Sequence, residues 1–455
     1  MVNRVYNSQA ELLEQASLLK GKPLIELYGR NSKKNYNGKG GLGNKIEELH
    51  YQIENNSIPE PDVANLNIEI KTNPLKQNLN KEIVPKESVV LGMIDFTKLV
   101  AESFESSSYI KKNKNILFNM YLYNTDQSDW EYKFLLVDLI ELNEIDKVVI
   151  RRDWELIRDK VKRLEAHKLS QSDTQYLIAL TKGQGNQKEQ PYLNGRAKAK
   201  RRAFAYKASY IKHLISNYKF NSKKGYFEYK KTNNRYRILE DKHCGNIENA
   251  VLEKFSPFIN KTDFEIAENF NQKKVFLLKK DKARWHWNTS LILTGERKKN
   301  LSKHIEEFSK SGLTVKTIRV NKDFLPLEEV SFRTQDYQIT EQSTWEDSSL
   351  YEEMSRKFLW VIYKGSNDNN FILQKVIFWV MPKKDLDFLR GKWLDYKSKL
   401  LAKDYKPSYF MGEESFYYLK IKDNKGGANK KLEKFNVTSL SHWFRKVYVQ
   451  NIITN

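Results

Sequence analysis

The stretch Pro61–Lys71, which reads PDVANLNIEIK, decides the fold of the first half of the chain. From Ala64 onward its apolar residues alternate with polar ones, and this two-residue period predicts a half-buried β-strand. Glu69 and Lys71 therefore share the polar face of that strand. Asp62 lies where the strand begins, after a proline that cannot join a central ladder, so its carboxylate can approach Glu69 across a bend.

Two carboxylates and one ammonium in the same place indicate phosphodiester hydrolysis. Mg²⁺ prefers oxygen ligands and completes its shell with waters and phosphate oxygens. A neighbouring lysine can orient an attacking water or offset charge. We therefore expect Asp62 and Glu69 to bind Mg²⁺ and Lys71 to act on the water. The alternative is that Glu69 and Lys71 form the solvent-facing side of an amphipathic edge strand.

The charge balance favours a polyanionic partner. Lysine and arginine number 79 and aspartate and glutamate 57, so the net charge is +22. A field of this size attracts nucleic acid, because neutralising phosphates releases condensed counterions. A solvated lysine-rich surface is the alternative explanation. With 455 residues, 40% of them apolar and 13% aromatic, the chain is long enough for two or three globular domains.

Cysteine and hydropathy patterns exclude several classes of protein. The single cysteine, Cys244, excludes an intramolecular disulfide and a zinc site built on cysteines. The seven histidines show no metal-ligand spacing. The longest apolar stretches are strand-sized and too short to span a membrane, and no secretory signal begins the chain. We expect a cytoplasmic protein.

Strand and helix patterns alternate through the first half and predict an α/β fold, a mixed sheet flanked by helices. Further strands are expected at 88–94, 115–122 and 132–140, and helices after the capping residue Ser8, around 24–27 and over 151–164.

Another predicted helix carries Glu47. Its apolar stripe consists of Leu42, Ile46, Leu49 and Ile53. Glu47 flanks this stripe and can face the edge of the core and the strand beyond, although a lone glutamate is commonly solvated.

The segment Gly195–Arg202, GRAKAKRR, is a basic run that follows a Gly-rich and Gln-rich loop. It precedes Phe204, Tyr206 and Tyr210, so phosphates and bases would meet both charge and aromatic surface here. A helix whose exposed face is merely basic is the alternative.

The second half of the chain looks like a diverged repeat of the first. The paired segments are KWLDY at 392–396 with DWELI at 153–157, SHWFRK at 441–446 with AFAYK at 203–207, and VSFRT at 330–334 with IEIKT at 68–72. In the last pair Ser331 replaces Glu69 and Arg333 replaces Lys71, so the second copy lacks a metal site. We predict a catalytic domain at 1–218, a connection at 219–245 and a related, inactive DNA-binding domain at 246–455.

Taken together, these pieces resemble the MutH mismatch-repair nicking endonuclease and the related type II restriction endonucleases that cut at GATC. The likeness covers most of residues 8 to 215 and rests on the order and spacing of its parts. These are the opening helices at 12–16 and 21–27, KGGLG at 39–43 with Glu47 four residues on, Asp62, and Glu69-Ile70-Lys71. The restriction enzymes of this family have a second domain without an active site, whereas the repair enzyme has one copy.

The resemblance implies a restriction-endonuclease-like fold and a role for each matching residue. Asp62 and Glu69 would bind Mg²⁺, Lys71 would position or activate water, and Glu47 would complete the acidic cluster. Lys112 falls where the family has a further functional lysine.

The resemblance also implies DNA contacts. Arg196 and Lys198 match an Arg-x-Lys-Ala element that reads the site in the major groove, where such side chains pair with guanine. Lys207, at the end of the element that follows, is a third candidate. The spacing between the two elements is much shorter here than in the repair enzyme.

We therefore expect a type II restriction endonuclease that uses Mg²⁺ to cleave double-stranded DNA, with GATC implied by the family. It would act as a monomer or a DNA-induced dimer, with possible binding of two DNA sites. The alternatives are a repair-type nicking endonuclease and a non-catalytic DNA-binding regulator.

Overall fold

The chain folds into two compact units. The computed structural model describes residues 4–29, 41–55, 60–78, 81–182, 189–230, 235–271, 283–335, 337–346, 348–365, 371–403, 416–421 and 440–454. The first unit comprises Met1–Arg235, Leu239–Asn246 and Ser309–Ser311, and the second comprises Tyr236–Ile238, Ile247–Phe308 and Gly312–Asn455.

Among the described residues, the first unit combines a four-stranded sheet, a three-stranded sheet and two two-stranded sheets with surrounding helices. Its helices are α1 (Gln9–Ser17), α2 (Leu24–Tyr28), α3 (Gly41–Lys45), α4 (Phe96–Leu99), α5 (Ser108–Asn113), α6 (Glu144–Lys162) and α7 (Ala208–Ile215). Its strands are β1 (Ile68–Gln77), β2 (Ile83–Pro85), β3 (Val89–Met93), β4 (Asn115–Leu122), β5 (Phe134–Glu141), β6 (Leu177–Thr181), β7 (Gln190–Tyr192), β8 (Ala197–Ala199), β9 (Arg202–Tyr206), β10 (Tyr218–Asn221) and β11 (Tyr226–Tyr229). This α/β architecture and the three further strands confirm the sequence predictions.

The larger sheet of the first unit has the order β2-β1-β4-β5. Strand β1 runs parallel to β4 and antiparallel to β2, and β4 runs antiparallel to β5. A smaller antiparallel sheet has the order β3-β9-β6. Strand β2 pairs with β1 only at Leu75–Gln77, so among the described strands Glu69 and Lys71 pair with β4 alone. The solvent-facing alternative is nevertheless wrong, because Glu69 is buried.

The acidic strand also begins later than its alternation predicted. Residues Ala64–Leu66 form a 3₁₀ turn, and Asn67 has a left-handed backbone with φ of 54°. Asparagine tolerates this conformation, which ends the turn and starts β1 at Ile68. Alternation alone could not detect the turn, because its apolar residues continue the period of the strand.

The helix predicted to carry Glu47 is interrupted. It begins as α3 and continues over Ile46–His50 as a π-helical turn, in which the Tyr51 N–H donates to the Ile46 carbonyl at 3.1 Å. Ile53, expected on the same stripe, lies beyond it. Part of the Gly-rich element before this helix, at 39–40, falls outside the described residues.

Most of the predicted connection at 219–245 belongs to the first unit. Strands β10 and β11 form an antiparallel hairpin, and the Tyr218 hydroxyl donates to Asp138 of β5 at 2.9 Å. Aromatic side chains also pack across the hairpin, in the pairs Tyr218–Tyr229 and Phe220–Phe227.

The second unit repeats this architecture. Its helices are α8 (Ile247–Phe255), α9 (Asp263–Asn269), α10 (Arg284–Thr294), α11 (Leu301–His304), α12 (Glu306–Ser311, which ends within the first unit), α13 (Tyr337–Gln342), α14 (Ser349–Met354), α15 (Lys383–Leu401) and α16 (Lys446–Thr454). Its strands are β12 (Thr314–Val320), β13 (Val330–Gln335), β14 (Lys357–Lys364), β15 (Ile372–Val380), β16 (Tyr417–Ile421) and β17 (Leu440–Phe444).

Sheet topology confirms that the two domains are related. The order β12-β14-β15, with a parallel first pair and an antiparallel second pair, matches β1-β4-β5. The antiparallel order β13-β17-β16 matches β3-β9-β6. Helices α6 and α15 are both 19 residues long. The buried Trp154 and Trp393 lie at the same position in them, ten residues after the first.

The same topology corrects one of the segment pairs. Val330–Gln335 is β13, the counterpart of β3, so its pairing with the Glu69 strand is wrong. The counterpart of β1 is β12. Glu69 pairs with the second residue of β4, and Thr314 pairs with the second residue of β14. Thr314 therefore occupies the Glu69 position, and Lys316 occupies that of Lys71. The second copy still lacks the glutamate, but it keeps the lysine.

Candidate active site

Glu69 is the centre of the candidate site and is only 1% exposed. Its Oε1 lies 2.5 Å from Lys71 Nζ and 3.5 Å from Lys112 Nζ. Burying a carboxylate is costly unless opposite charge compensates it. The two ammonium groups supply that compensation, and the predicted sharing of one face by Glu69 and Lys71 is confirmed.

The parallel pairing of β1 and β4 brings Lys112 to Glu69. Helix α5 ends at Asn113, just before β4 begins at Asn115, and Asn115 lies opposite Ile68, the first residue of β1. The end of α5 therefore meets the start of β1. Lys112 Nζ also donates to the Glu60 carbonyl at 3.3 Å, which ties α5 to the segment that leads into Asp62.

Asp62 approaches the strand across the predicted bend. Its Oδ2 accepts the Ile70 N–H at 2.8 Å, and the turn that follows Asp62 folds this carboxylate back against β1. Its negative charge contributes to raising the pKa of both Glu47 and Glu69. Asp62 therefore lies within electrostatic reach of both glutamates.

Glu47 enters the same cluster from the π-helical turn. Burial, with the charge of Asp62 as the next cause, raises the pKa of Glu47 to about 8, although Lys71 and Lys112 oppose the rise. Burial likewise raises the pKa of Glu69, with Lys71 opposing it. The structure thus brings together all five predicted catalytic residues, namely Glu47, Asp62, Glu69, Lys71 and Lys112.

The donor set suits a hard divalent cation. Glu69 Oε2 is buried without a hydrogen-bond partner among the described residues, and burial together with the negative charge of Asp62 raises the pKa of Glu47 to about 8. No three histidine, cysteine, aspartate or glutamate side chains in the described ranges could enclose a metal unaided.

The predicted base-reading residues lie apart from this cluster in sequence and on a different element. Arg196 and Lys198 are exposed on a hairpin formed by β7 and β8. The alternative of a basic helix is therefore wrong. Lys207 differs from them, since its Nζ donates to the Thr174 carbonyl at 2.6 Å inside the fold.

The expected aromatic surface beside the basic run is also wrong. Phe204, Tyr206 and Tyr210 are buried in the core, with at most 4% exposure. Arg202 is buried too and donates to the Ala179 carbonyl at 3.1 Å. All five residues of β9 are buried.

Sequence reasoning missed Lys45 and His50, which are buried at the two ends of the turn that carries Glu47. On a helical wheel both residues lie at the border of the predicted apolar stripe, so the periodicity of the sequence is only a weak signal that they are buried.

Comparison with known proteins supplies the family. The model of the DNA mismatch repair enzyme MutH matches residues 51–153 and 297–392. The first segment contains the Glu69 strand, and the second contains its counterpart β12. The type II restriction enzyme Sau3AI of Staphylococcus aureus is 31% identical over 395 residues, which cover 84% of this chain and 77% of that protein.

The chain is a MutH-like type II restriction endonuclease. Membership of this family makes the protein a site-specific deoxyribonuclease whose substrate is double-stranded DNA, and it confirms the expectation of an enzyme with two related domains. Restriction endonucleases generally use a divalent metal ion. None of the described helices combines the length and the apolar character needed to cross a bilayer.

The raised pKa of Glu47 predicts how this endonuclease responds to pH when divalent ions are removed. Folded Glu47 holds its proton to about pH 8, whereas the ordinary value is 4.5. The folded state therefore binds the extra proton, and stability falls as pH rises through this window. Glu47→Gln removes that loss, so its melting temperature should exceed the parent's by an amount that grows with pH.

Thermal melts in EDTA at about pH 5.5 and about pH 8.5 measure this difference. Exposed Glu87→Gln is the control and should follow the parent at both values. If the parent and Glu47→Gln show the same pH dependence, Glu47 does not belong to the buried acidic cluster.

Proposed function

We propose that this endonuclease hydrolyses DNA phosphodiesters with Mg²⁺ at GATC, leaving 5′-phosphate and 3′-hydroxyl ends, and that it acts in the cytoplasm. The chemistry is supported above all by the buried Glu69, whose Oε1 faces two lysines and whose Oε2 accepts no hydrogen bond from the described residues. GATC is supported by the sequence resemblance to the GATC-cutting branch of the family.

Asp62 and Glu69 are the residues that would hold the metal, through Glu69 Oε2 and the Asp62 carboxylate. A bound Mg²⁺ would supply charge stabilisation at the scissile phosphate and lower the pKa of a water nucleophile. Glu47 extends the same acidic cluster, and its carboxyl group becomes a better ligand once it loses its proton.

The two lysines have different tasks in this proposal. Lys71 lies on the same strand face as Glu69 and is about one-fifth exposed, so its ammonium can reach both the carboxylate and an attacking water. Lys112 holds the Glu60 carbonyl as well as facing Glu69. It therefore fixes the entry to the Asp62 turn while it offsets the negative charge of the cluster.

Removal of the central carboxylate should abolish the chemistry and leave DNA binding. We predict that Glu69→Gln lowers plasmid cleavage by more than about a hundredfold, because the substitution deletes a metal ligand while keeping side-chain volume. Thr314→Ala, at the equivalent position of the second unit, is the matched control and should cleave like the parent.

Digestion of a GATC plasmid with Mg²⁺, together with a gel-shift assay for binding, gives both readouts. Linear product is expected from the parent, whereas a nicked circle or no reaction would contradict Mg²⁺-dependent cleavage of both strands at GATC. Glu69→Gln turnover within about tenfold of the parent would refute the assigned role.

Recognition of the site is assigned to the β7–β8 hairpin. Arg196 and Lys198 are exposed there, as residues that enter the major groove must be. An arginine that pairs with guanine contributes about 1–3 kcal/mol of discrimination, whereas one that contacts phosphate contributes equally to every sequence. The internal hydrogen bond of Lys207 favours a structural task for that residue.

Arg196→Ala should therefore weaken binding to GATC duplexes by about tenfold or more relative to a duplex with a scrambled site. Fluorescence anisotropy at several salt concentrations measures both affinities, and exposed Lys168→Ala serves as the control. Equal losses on the two duplexes, with a reduced salt slope, would place Arg196 among the phosphate contacts instead.

The second unit is proposed to bind DNA without cutting it. Thr314 cannot replace the Glu69 ligand, and Lys316 is committed to the fold. Its Nζ donates to the Ser331 carbonyl at 3.0 Å and lies 4.0 Å from the centre of the Phe332 ring. One active centre cuts one strand, so duplex cleavage needs two catalytic units or two successive events.

If the second unit binds DNA, a second GATC site on the same plasmid should accelerate cleavage of the first. A plasmid with two GATC sites should be cut faster per site than a plasmid with one, because tethering raises the effective concentration of the second site. An added GATC oligonucleotide should accelerate cutting of the one-site plasmid, whereas a scrambled oligonucleotide should not. Equal rates on both plasmids, with no effect of the oligonucleotide, would contradict the proposal.

A further inference from the structure

The turn that carries Glu47 is held at both ends by buried polar contacts. We propose that Lys45 and His50 are positioning residues, which hold the Ile46–His50 turn so that the Glu47 carboxylate stays in the metal-binding cluster. The inference rests on the proposed function of that cluster and adds the two anchors that control its third acidic group.

Lys45 anchors the start of the turn. Its side chain is 7% exposed, and its Nζ lies 2.5 Å from Asp129 Oδ2 and 4.8 Å from the centre of the Trp130 ring. Both partners belong to the loop between β4 and β5. The Trp130 carbonyl in turn accepts the Ile25 N–H of α2 at 2.9 Å, so the loop is itself fixed to a helix.

His50 anchors the end of the turn and is completely buried. Its Nδ1 lies 2.7 Å from the Tyr28 hydroxyl, and its Nε2 lies 2.9 Å from the Gln15 carbonyl. Burial lowers the pKa of His50 to about 4, so the ring is neutral at physiological pH. The Tyr28 O–H then donates to Nδ1, and the Nε2–H donates to the Gln15 carbonyl.

Two backbone carbonyls of the turn accept further hydrogen bonds. The Gln15 side-chain amide donates to the His50 carbonyl at 2.9 Å, and the Ile53 N–H donates to the Glu47 carbonyl at 2.8 Å. A π-helical turn is rare and appears frequently at functional sites. Here both ends of the turn are fixed, and the turn holds Glu47 partly buried within electrostatic reach of Asp62.

If Lys45 and His50 had only a structural role, their contacts would stabilise the fold without affecting metal binding. If they position Glu47, loss of these contacts should weaken metal binding only while Glu47 is present. Supporting groups around metal ligands typically contribute about tenfold to about a hundredfold in metal affinity. The two roles therefore differ in a measurable quantity other than stability.

The test uses the full-length protein with Asp129→Asn, which breaks the Lys45 pair at constant volume, and Tyr28→Phe, which removes the donor to His50. Binding of Mn²⁺ is followed by the electron paramagnetic resonance signal of the free ion, and the Mg²⁺ concentration for half-maximal cleavage is measured in parallel. Asp173→Asn, which breaks a partly buried pair with Lys160 at 2.8 Å, is the matched control.

We expect Asp129→Asn and Tyr28→Phe each to weaken Mn²⁺ binding by about tenfold, and Asp173→Asn to leave it unchanged. Combined with Glu47→Gln, neither variant should weaken binding further. If Asp129→Asn does not fold, the Tyr28→Phe cycle decides alone.

A lowered melting temperature with unchanged Mn²⁺ binding, or losses that add to those of Glu47→Gln, would overturn the positioning role. In that case the parent would still cleave DNA with Mg²⁺. Absence of cleavage by the parent would instead reject the proposed function on which the inference rests.

Discussion

The catalytic unit depends on the burial of one carboxylate beside two lysines. Glu69 loses almost all contact with water, and desolvation of an ion costs several kcal/mol unless neighbouring charge offsets it. Lys71 comes from the same strand, whereas Lys112 arrives only because β1 and β4 are parallel and begin at the same end of the sheet. The parallel pairing of β1 and β4 is therefore what allows Lys112 to compensate the buried charge of Glu69.

The second unit shows what remains when that carboxylate is absent. It repeats both strand orders and the long tryptophan-bearing helix. Thr314 brings no charge into the equivalent position. The Lys316 ammonium donates to the Ser331 carbonyl and lies over the Phe332 ring. The second unit keeps the fold without the site because the packing of apolar residues, and not the ion cluster, supplies most of the stability of the fold.

The family resemblance supplied the roles of Glu47 and Lys112 in the cluster. The sequence itself predicted the fold class, three further strands and the grouping of Asp62, Glu69 and Lys71, since alternation is a local signal. It did not predict the left-handed Asn67 that delays β1, the widened turn that carries Glu47, or the burial of Phe204 and Tyr206. Each of these is decided by tertiary packing. The segment 330–334 was wrongly predicted to be the counterpart of the Glu69 strand, because the match rested on only five similar residues. Strand register identifies β12 as the counterpart.

The proposed mechanism requires that Glu69 Oε2 and the Asp62 carboxylate bind one divalent ion. Crystals of the enzyme with a GATC duplex and Mn²⁺, measured at the manganese absorption edge, would locate that ion. We expect an anomalous peak in contact with Glu69 Oε2, the Asp62 carboxylate and a phosphate oxygen. A peak elsewhere, with Glu69 still held only by Lys71 and Lys112, would contradict it.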